Sequence, residues 1–529
     1  MLRIERRAWA LAIASALLQV VIFPLPNLYV LSWIAVAPLL IALLHARQRE
    51  TLQLQGAAKL EPASPWQGFL LGYICGILWY GGNCYWVYNT MKQYGGISAA
   101  GAAGLLILFC LYLGLYHGAF GLIICWLAKQ SLRTALVLAP FVWVAVELAR
   151  TRISGFPWDL LGVTQVDNIP LARIARFTGV YGLSFEIMIV NTAFAAALLV
   201  DRKRRLSLWI ATFAAAFVLQ IARWTPFPMI PGDRSAVLVQ ANVPILDNSD
   251  WTQQYYEATF SDLRNLSLNP PGGRGHAHLI VWPESPAPFY SNDPGFRDGL
   301  AGIATTANSW VVAGSVGIEG SHPNQEVFNS AVLMAPSGEL VARYDKVHLV
   351  PFGEYLPFPS LLSFAGGLTK QVGTFMPGAS RTPLEAGEEK LGIFICYESI
   401  FPDDVRRFAK SGAQVFVNIS NDGWYGDSGA YAQHLKQARM RAIENGRWLL
   451  RGTNTGVTAA IDPFGRIAQQ VPRKVRTALV ASYSLIDATT FYTRHGDWLA
   501  YGCAIISAGA ILFSRGRISP NPVQGRRIT

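Results

Sequence analysis

An acid, an ammonium and a thiol stand out in the second half of the chain. Glu284 closes the stretch VWPES. Lys346 lies in YDKVHLVPFGEYLP with Glu354 and Tyr355. Cys396 lies in GIFICYESIFPD and is followed at once by Tyr397 and Glu398. A thiol is a weak nucleophile until it loses its proton, and a neighbouring base or cation brings that about. A carboxylate can take the thiol proton and hand it to the leaving group. A lysine ammonium, helped by a backbone N–H beside the nucleophile, can hold the oxyanion of a tetrahedral intermediate. Glu, Lys and Cys therefore suffice for acyl transfer without a histidine, and no metal or cofactor is expected. His348, the nearest histidine in sequence, reads as packed or surface. Taken singly each signal is weak. A lone Glu after a strand is usually a solvated loop residue, and free Cys is among the most buried residue types.

The cysteine distribution sharpens the reading. Cys75, Cys84, Cys110, Cys125 and Cys503 fall in or beside long apolar runs, and Cys396 stands alone in the polar stretch between them. A structural cysteine in an oxidising compartment would want a disulfide partner. Cys396 has none in its own stretch, which favours a functional thiol.

The elements that must position these residues read as alternating strands and helices. Short apolar runs at 236–243, around HLIVW and at 391–395 are strands. So are WVVAGSVGIE, the run from Glu326 to Val350, QVFVNIS, and two closing segments up to residue 485. Helices are expected at Asp250 to Leu266 with Asp250 as N-cap, at Phe296 to Asn308, at Asp403 to Lys410, and from Ala430 to Leu449. Mixed strands with helices outside suggest a layered α/β or α+β domain around a central sheet core. The site residues follow strand ends.

The rest of the chain is apolar. It has 529 residues, 52% hydrophobic and only 15% charged, against about 25% charged in a soluble domain. Runs near the ~20 residues that cross a bilayer lie at 8–24, 28–45, 68–88, 101–127, 133–150, 177–200, 206–223 and 497–514. The expectation is an eight-span α-helical membrane bundle: a seven-span region over 1–230, a soluble domain over 231–490, and a last span with a disordered tail over 491–529. A cleaved signal peptide at the basic N-terminus is disfavoured, because a second apolar run follows almost at once.

Lys and Arg in short loops set orientation. Arg3, Arg6 and Arg7; Arg47, Arg49 and Lys59; Lys129 and Arg133; Arg202 to Arg205; and Arg515 and Arg517 mark alternate sides of that path. Both termini would then be cytoplasmic and the soluble domain extracytoplasmic. Arg150, Arg152, Arg173 and Arg176 break the rule on the outer side. The segment Ile169 to Phe177 reads as a short interfacial helix, either a solvated anchor or one whose Arg173 and Arg176 contact a phospholipid phosphate. The formal charge of +11 belongs to the membrane part, since Arg234 to Leu485 holds 21 Lys plus Arg against 22 Asp plus Glu. It reports topology, not a nucleic-acid partner.

Glu284 in VWPE, Lys346 in YDKVHLVPFGEYLP and Cys396 in GIFICYESIFPD resemble the Glu-Lys-Cys triad of the nitrilase, or carbon–nitrogen hydrolase, superfamily, over about 235–485. With its multi-span frame the whole chain resembles the apolipoprotein N-acyltransferase family; NISNDGWYGDSGAYAQH (418–434) and QANVPILDNSDW, ending at Trp251, match as well. The resemblance implies a four-layer αββα sandwich. It implies a phospholipid acyl donor, usually phosphatidylethanolamine, a thioester on Cys396, and transfer to the N-terminal diacylglyceryl-cysteine of apolipoproteins at the bacterial inner membrane, on its periplasmic side. Glu284 would be general base, Lys346 the oxyanion partner and Cys396 the nucleophile, with Glu354 and Glu398 supporting and Tyr397 and Trp251 shaping the site. A membrane-tethered amidase shares the triad but needs only one span. A transporter would want more ionisable residues in its spans than Glu147 and His117.

Overall fold

The structure, a computed structural model, describes residues 4–48, 60–199, 202–221, 224, 230–246, 250–273, 276–321, 324–355 and 375–515. Arg3, Arg49, Lys59, Arg517 and the tail expected to be disordered lie outside the described residues.

The frame comprises α1 (Arg6–Val21), α2 (Ala37–Leu44), a short ladder of β1 (Arg47–Gln48) with β2 (Leu60–Glu61), α3 (Pro65–Asn83), α4 (Trp86–Gln93), α5 (Ala99–Ala128), α6 (Leu132–Ile153), the single turns α7 (Ile169–Ala172) and α8 (Ala175–Thr178), α9 (Val180–Leu199) and α10 (Arg202–Ile221). Serines start three of them: Ser64, Ser98 and Ser131 accept the N–H of Gln67, Gly101 and Thr134, which satisfies donors that a helix end leaves open. Among the described residues, three helices are long and apolar enough to cross a membrane: α5, α6 and α9. Shorter apolar stretches lie at Tyr29–Leu44, Leu206–Ile221 and Trp498–Ser514. The second expected span is broken by a 3-10 turn (Tyr29–Trp33) before α2, so eight uniform spans are more than these helices establish. The expected interfacial helix is the broken pair α7 and α8.

The soluble domain begins with β3 (Arg234–Gln240), α11 (Gln253–Leu268), β4 (Leu279–Val281), α12 (Pro294–Ala307), β5 (Trp310–Glu319), β6 (Glu326–Met334) and β7 (Leu340–Asp345). It continues with β8 (Leu384–Ala386), β9 (Glu389–Ile395), α13 (Pro402–Lys410), β10 (Val415–Ser420), α14 (Ala430–Asn445), β11 (Leu449–Thr453), β12 (Ala459–Ile461), β13 (Ile467–Gln470) and β14 (Thr477–Tyr483). Then α15 (Phe491–His495) leads into α16 (Trp498–Arg515). Two expected boundaries moved. Thr252, not Asp250, caps α11, its side chain accepting from Tyr255 N–H. Helix α14 ends at Asn445 because Gly446 turns left-handed at φ 62°, which frees Leu449 to begin β11.

Two six-stranded sheets result, ordered β14-β3-β4-β5-β6-β7 and β13-β12-β11-β10-β9-β8. The pairs β3–β4, β4–β5, β9–β10 and β10–β11 are parallel. Period-2 alternation builds two cores. Leu238, Val281, Val312 and Leu333 of the first sheet meet Ile393, Ile395, Val417 and Ile419 of the second. Val237, Ile280, Val311 and Val332 turn the other way, onto Leu263 of α11 and Leu300 and Ile303 of α12. Each such side chain contributes about 1.5–3 kcal/mol by burial. Helices thus cover both sheets, the αββα sandwich that the family resemblance implied.

Helix α14 has no free face. Leu435, Ala438 and Ala442 pack on the second sheet, while Ala430, Met440 and Ile443 pack with the frame. Its buried charges are paired: Lys436 and Arg439 meet Asp167 at 3.0 and 2.7 Å, and Arg441 meets Glu444 at 2.7 Å. Glu444 also accepts the N–H of Val180, at the start of α9, at 2.9 Å. The domain therefore docks on the frame through a helix at its heart.

Candidate active site

Glu284 lies just past β4, Lys346 directly after β7, and Cys396 directly after β9. All three follow the C-terminal ends of strands, where α/β sheets commonly build sites. The turn carrying Glu284 crosses β5 at Gly314, where a Cβ would sit 2.3 Å from the Pro283 carbonyl oxygen; only glycine lets the turn pass so close. Glu284, Lys346 and Cys396 are 6%, 1% and 6% exposed, so the cluster is dry and its charges act strongly on one another.

Lys346 Nζ donates to Glu354 Oε1 at 2.8 Å and approaches Glu284 Oε1 at 3.5 Å. Asn329, in β6, donates from Nδ2 to both carboxylates, at 2.8 Å to Glu284 and 2.6 Å to Glu354. The other oxygen of Glu284 accepts Asn421 N–H at 2.8 Å, and that of Glu354 accepts Val350 N–H at 2.7 Å. Burial works against the Lys346 charge, but the carboxylates of Glu354 and Glu284 outweigh it and hold the ammonium above the usual lysine range. Burial pushes the Cys396 thiol well up and the Glu284 charge adds to this, while Lys346 pulls the other way. The thiol is therefore neutral at rest.

Cys396 opens a 3-10 turn, Cys396–Ile400, in the left-handed region at φ 47°. A non-glycine residue there costs about 1–3 kcal/mol and persists only where its surroundings over-determine it. Glu398 supplies part of that. Its carboxylate accepts Ile395 N–H at 2.7 Å, Val347 N–H at 2.8 Å, His348 N–H at 3.1 Å and the Tyr344 hydroxyl at 2.8 Å. One side chain thus ties the cysteine turn to the lysine loop. Burial raises the Glu398 carboxyl, and the donated N–H groups oppose that.

The other expected residues fall as follows. Tyr397 is buried and its hydroxyl donates to Gly155 O of the frame at 3.3 Å. Tyr355 bridges back to Pro351 beside Glu354. His348 is packed, stacking on Phe401 and facing Asp404 at 3.1 Å. Trp251 joins a different region: it packs on Tyr255 and lines an open cavity of about 830 Å³ with Tyr256, Phe260 and Tyr290. Arg176 donates to Pro463 O at 2.8 Å and covers the Phe464 ring at 4.5 Å, and Arg173 lies over the same ring at 5.6 Å. Arg176 sits by Gly446, about 18 Å along α14 from His434 at the 1.5 Å rise of a helix, so it clasps domain to frame. Sequence reasoning missed Asn329 altogether. It noted 418–434 without seeing that Asn421 reaches Glu284.

The comparisons with known proteins agree with this layout. The apolipoprotein N-acyltransferase N-terminal domain family matches residues 15–193 and the carbon-nitrogen hydrolase family matches 238–491. The apolipoprotein N-acyltransferase of Geobacter metallireducens is 33% identical, covering 97% of this chain and 97% of its own. The chain belongs to the apolipoprotein N-acyltransferase family. Another member of the apolipoprotein N-acyltransferase family, from Methylococcus capsulatus, is 35% identical over 88% of this chain and 91% of its own. A solved amidase from Nesterenkonia sp. is 20% identical over 53% of this chain and 98% of its own, with a TM-score of 0.36. The match at 15–193 lies in the frame, which a tethered amidase would not need.

Proposed function

We propose that this lipoprotein acyltransferase takes an acyl chain from a membrane phospholipid, with phosphatidylethanolamine the expected donor, onto Cys396. It then passes the chain to the α-amino group of the N-terminal diacylglyceryl-cysteine of a lipoprotein. The observation that carries this is the convergence of Glu284, Lys346 and Cys396 in one buried cluster within a chain of this family.

In the first half, Glu284 takes the thiol proton as the sulfur attacks the ester carbonyl. The Lys346 ammonium, anchored by Glu354, faces the oxyanion. The carbon–oxygen bond then breaks, Glu284 returns the proton to the departing alkoxide, and lysophospholipid leaves. In the second half the neutral amine attacks the thioester, Glu284 takes the ammonium proton, the carbon–sulfur bond breaks and the thiol is restored. A frame in the bilayer suits such a donor, because each buried CH₂ holds the chain there by ~0.8 kcal/mol.

Intact mass spectrometry of the protein with phospholipid and no acceptor should find one acyl mass, on the peptide containing Cys396. Adding a diacylglyceryl-cysteine peptide should remove it and acylate the peptide. Discharge to water alone, as free fatty acid at the same rate with or without peptide, would mark a hydrolase instead.

The orientation proposed is both termini in the cytoplasm of a bacterial cell and the soluble domain on the outer side of its inner membrane, from the Lys and Arg distribution. A reporter fused near Leu300 should behave as extracytoplasmic. Cytoplasmic behaviour there would separate the site from its lipoprotein substrates and overturn the assignment.

A further inference from the structure

The triad leaves one buried cluster unused, against the cysteine turn. His434 of α14 is fully buried. Its Nδ1 lies 2.9 Å from Asp422 Oδ1, and its Nε2 lies 3.0 Å from the Cys396 carbonyl oxygen and 2.7 Å from Ser399 Oγ. Arg451 in turn fixes Asp422, donating to its two oxygens at 3.1 and 2.9 Å, and also reaches His434 Nδ1 at 3.1 Å. With its proton on Nε2 the ring donates to the Cys396 carbonyl and Nδ1 accepts from Arg451. With its proton on Nδ1 the ring donates to Asp422 and Nε2 accepts from the Ser399 hydroxyl. The first ties the Cys396 carbonyl to Arg451 and through it to Asp422; the second ties Ser399 of the turn directly to Asp422.

The other wall of this pocket belongs to the frame. Trp158, in the loop after α6, is fully buried and lies parallel to the His434 ring, centroids 6.0 Å apart at 16°. Its indole N–H donates to Gln433 Oε1 at 2.8 Å, and Gln433 Nε2 donates to Pro24 O at 3.0 Å and Asn83 Oδ1 at 3.1 Å. Tyr425 closes a third side, edge-on to His434 at 5.7 Å. The imidazole is thus seated by Asp422 from the domain and by Trp158 from the frame.

We propose that His434 is a positioning residue for the nucleophile and that Trp158 sets it from the membrane side, so docking on the frame fixes the geometry of the Cys396 thiol. This rests on the reading of Cys396 as nucleophile. Cys396 is held in its left-handed conformation from two directions: Glu398 grips the N–H before it, and His434 grips the turn after it, at the Cys396 carbonyl from Nε2–H or at the Ser399 hydroxyl in the other tautomer. Loosening the second grip lets the thiol drift from Glu284 and Lys346. A misplacement of about 1 Å costs roughly 10²-fold in rate.

The test uses the full-length protein in phospholipid micelles. It measures the rate constant and the amplitude of Cys396 acylation separately, with KM for the phospholipid and the melting temperature alongside. His434→Leu and Trp158→Leu should lower the rate constant by roughly 10²-fold at near-full amplitude, with KM changed by less than about threefold. Trp158→Phe, which keeps a flat ring against the imidazole, should recover most of the rate. Unchanged rate constants would overturn the proposal. So would a loss of amplitude with a normal rate constant in the remaining fraction, because that is what a merely destabilised fold gives. Cys396→Ala run beside them separates the two readings: an acyl mass on that variant would refute the nucleophile itself, whatever His434 does.

Discussion

Cys396→Ala should carry no acyl mass and should lose at least about 10⁴-fold in turnover, the scale on which nucleophile deletions act. The fold should survive. The variant keeps a Cβ at the same strained φ of 47°, so backbone strain is unchanged, and the sulfur is the only atom lost. A change of about 1 kcal/mol would move the melting temperature by only about 2–4 °C. Cys396→Ser should fail nearly as badly. A hydroxyl is far less acidic than a thiol, and this site already raises the thiol by burial and by the charge of Glu284. The same surroundings acting on a serine hold its hydroxyl proton more tightly still. Residual turnover above about 1% of the parent in Cys396→Ala, read by acyl transfer to a diacylglyceryl peptide, would place the covalent step elsewhere.

Much of this site was legible before any coordinates, for a physical reason. Glu284 and Cys396 each follow an apolar run that reads as a buried strand, whereas Lys346 follows the mixed strand LVARYD and stood out through the resemblance of the motif around it. Asn329 was invisible because it sits inside a strand, EVFNSAVLM, and its partners lie 45 and 25 residues away. Nothing local marks such a residue; only the sheet brings it between two carboxylates. His434 hid for a related reason. It lies on a helix whose charged residues suggest a solvated face, yet every residue from Gln433 to Asn445 is buried, because the frame covers what a soluble domain would expose.

The frame was less legible. Apolar runs gave the places of the helices but not their lengths, since backbone breaks such as the 3-10 turn at Tyr29–Trp33 leave composition unchanged. The arginines of the loop between α6 and α9 stood out as breaking the charge rule. Their use was not evident, because Arg176 meets a carbonyl and an aromatic ring of a turn almost 290 residues later. A charge-pattern argument sees only lipid and water as partners, and Arg176 has protein partners as well.

Lys346→Met should be the most damaging change that leaves Cys396 in place. It removes the cation between Glu284 and Glu354, whose side chains are only 7% and 8% exposed. Breaking a buried pair this way costs about 3–5 kcal/mol, and loss of oxyanion support costs roughly a further 10²–10³-fold in turnover. A pH signature should identify the cause. In the parent, Lys346 is held above its usual value. Its contribution to stability is therefore complete through the neutral range and is lost only as strong alkali removes the proton. In Lys346→Met two carboxylates share one Asn329 amide without a counter-charge, and one proton relieves them. The folded variant then binds a proton that the unfolded chain does not hold, so its stability should rise as the pH falls from neutral to mildly acid. The double variant Lys346→Met, Glu354→Gln removes the like-charge pair and should regain most of the melting temperature with no such pH dependence. It should not regain turnover, because no cation then faces the oxyanion. Thermal melts across pH and acyl transfer by the two variants decide it: recovery of turnover in the double variant would make Lys346 a structural counter-ion and move oxyanion stabilisation to another group.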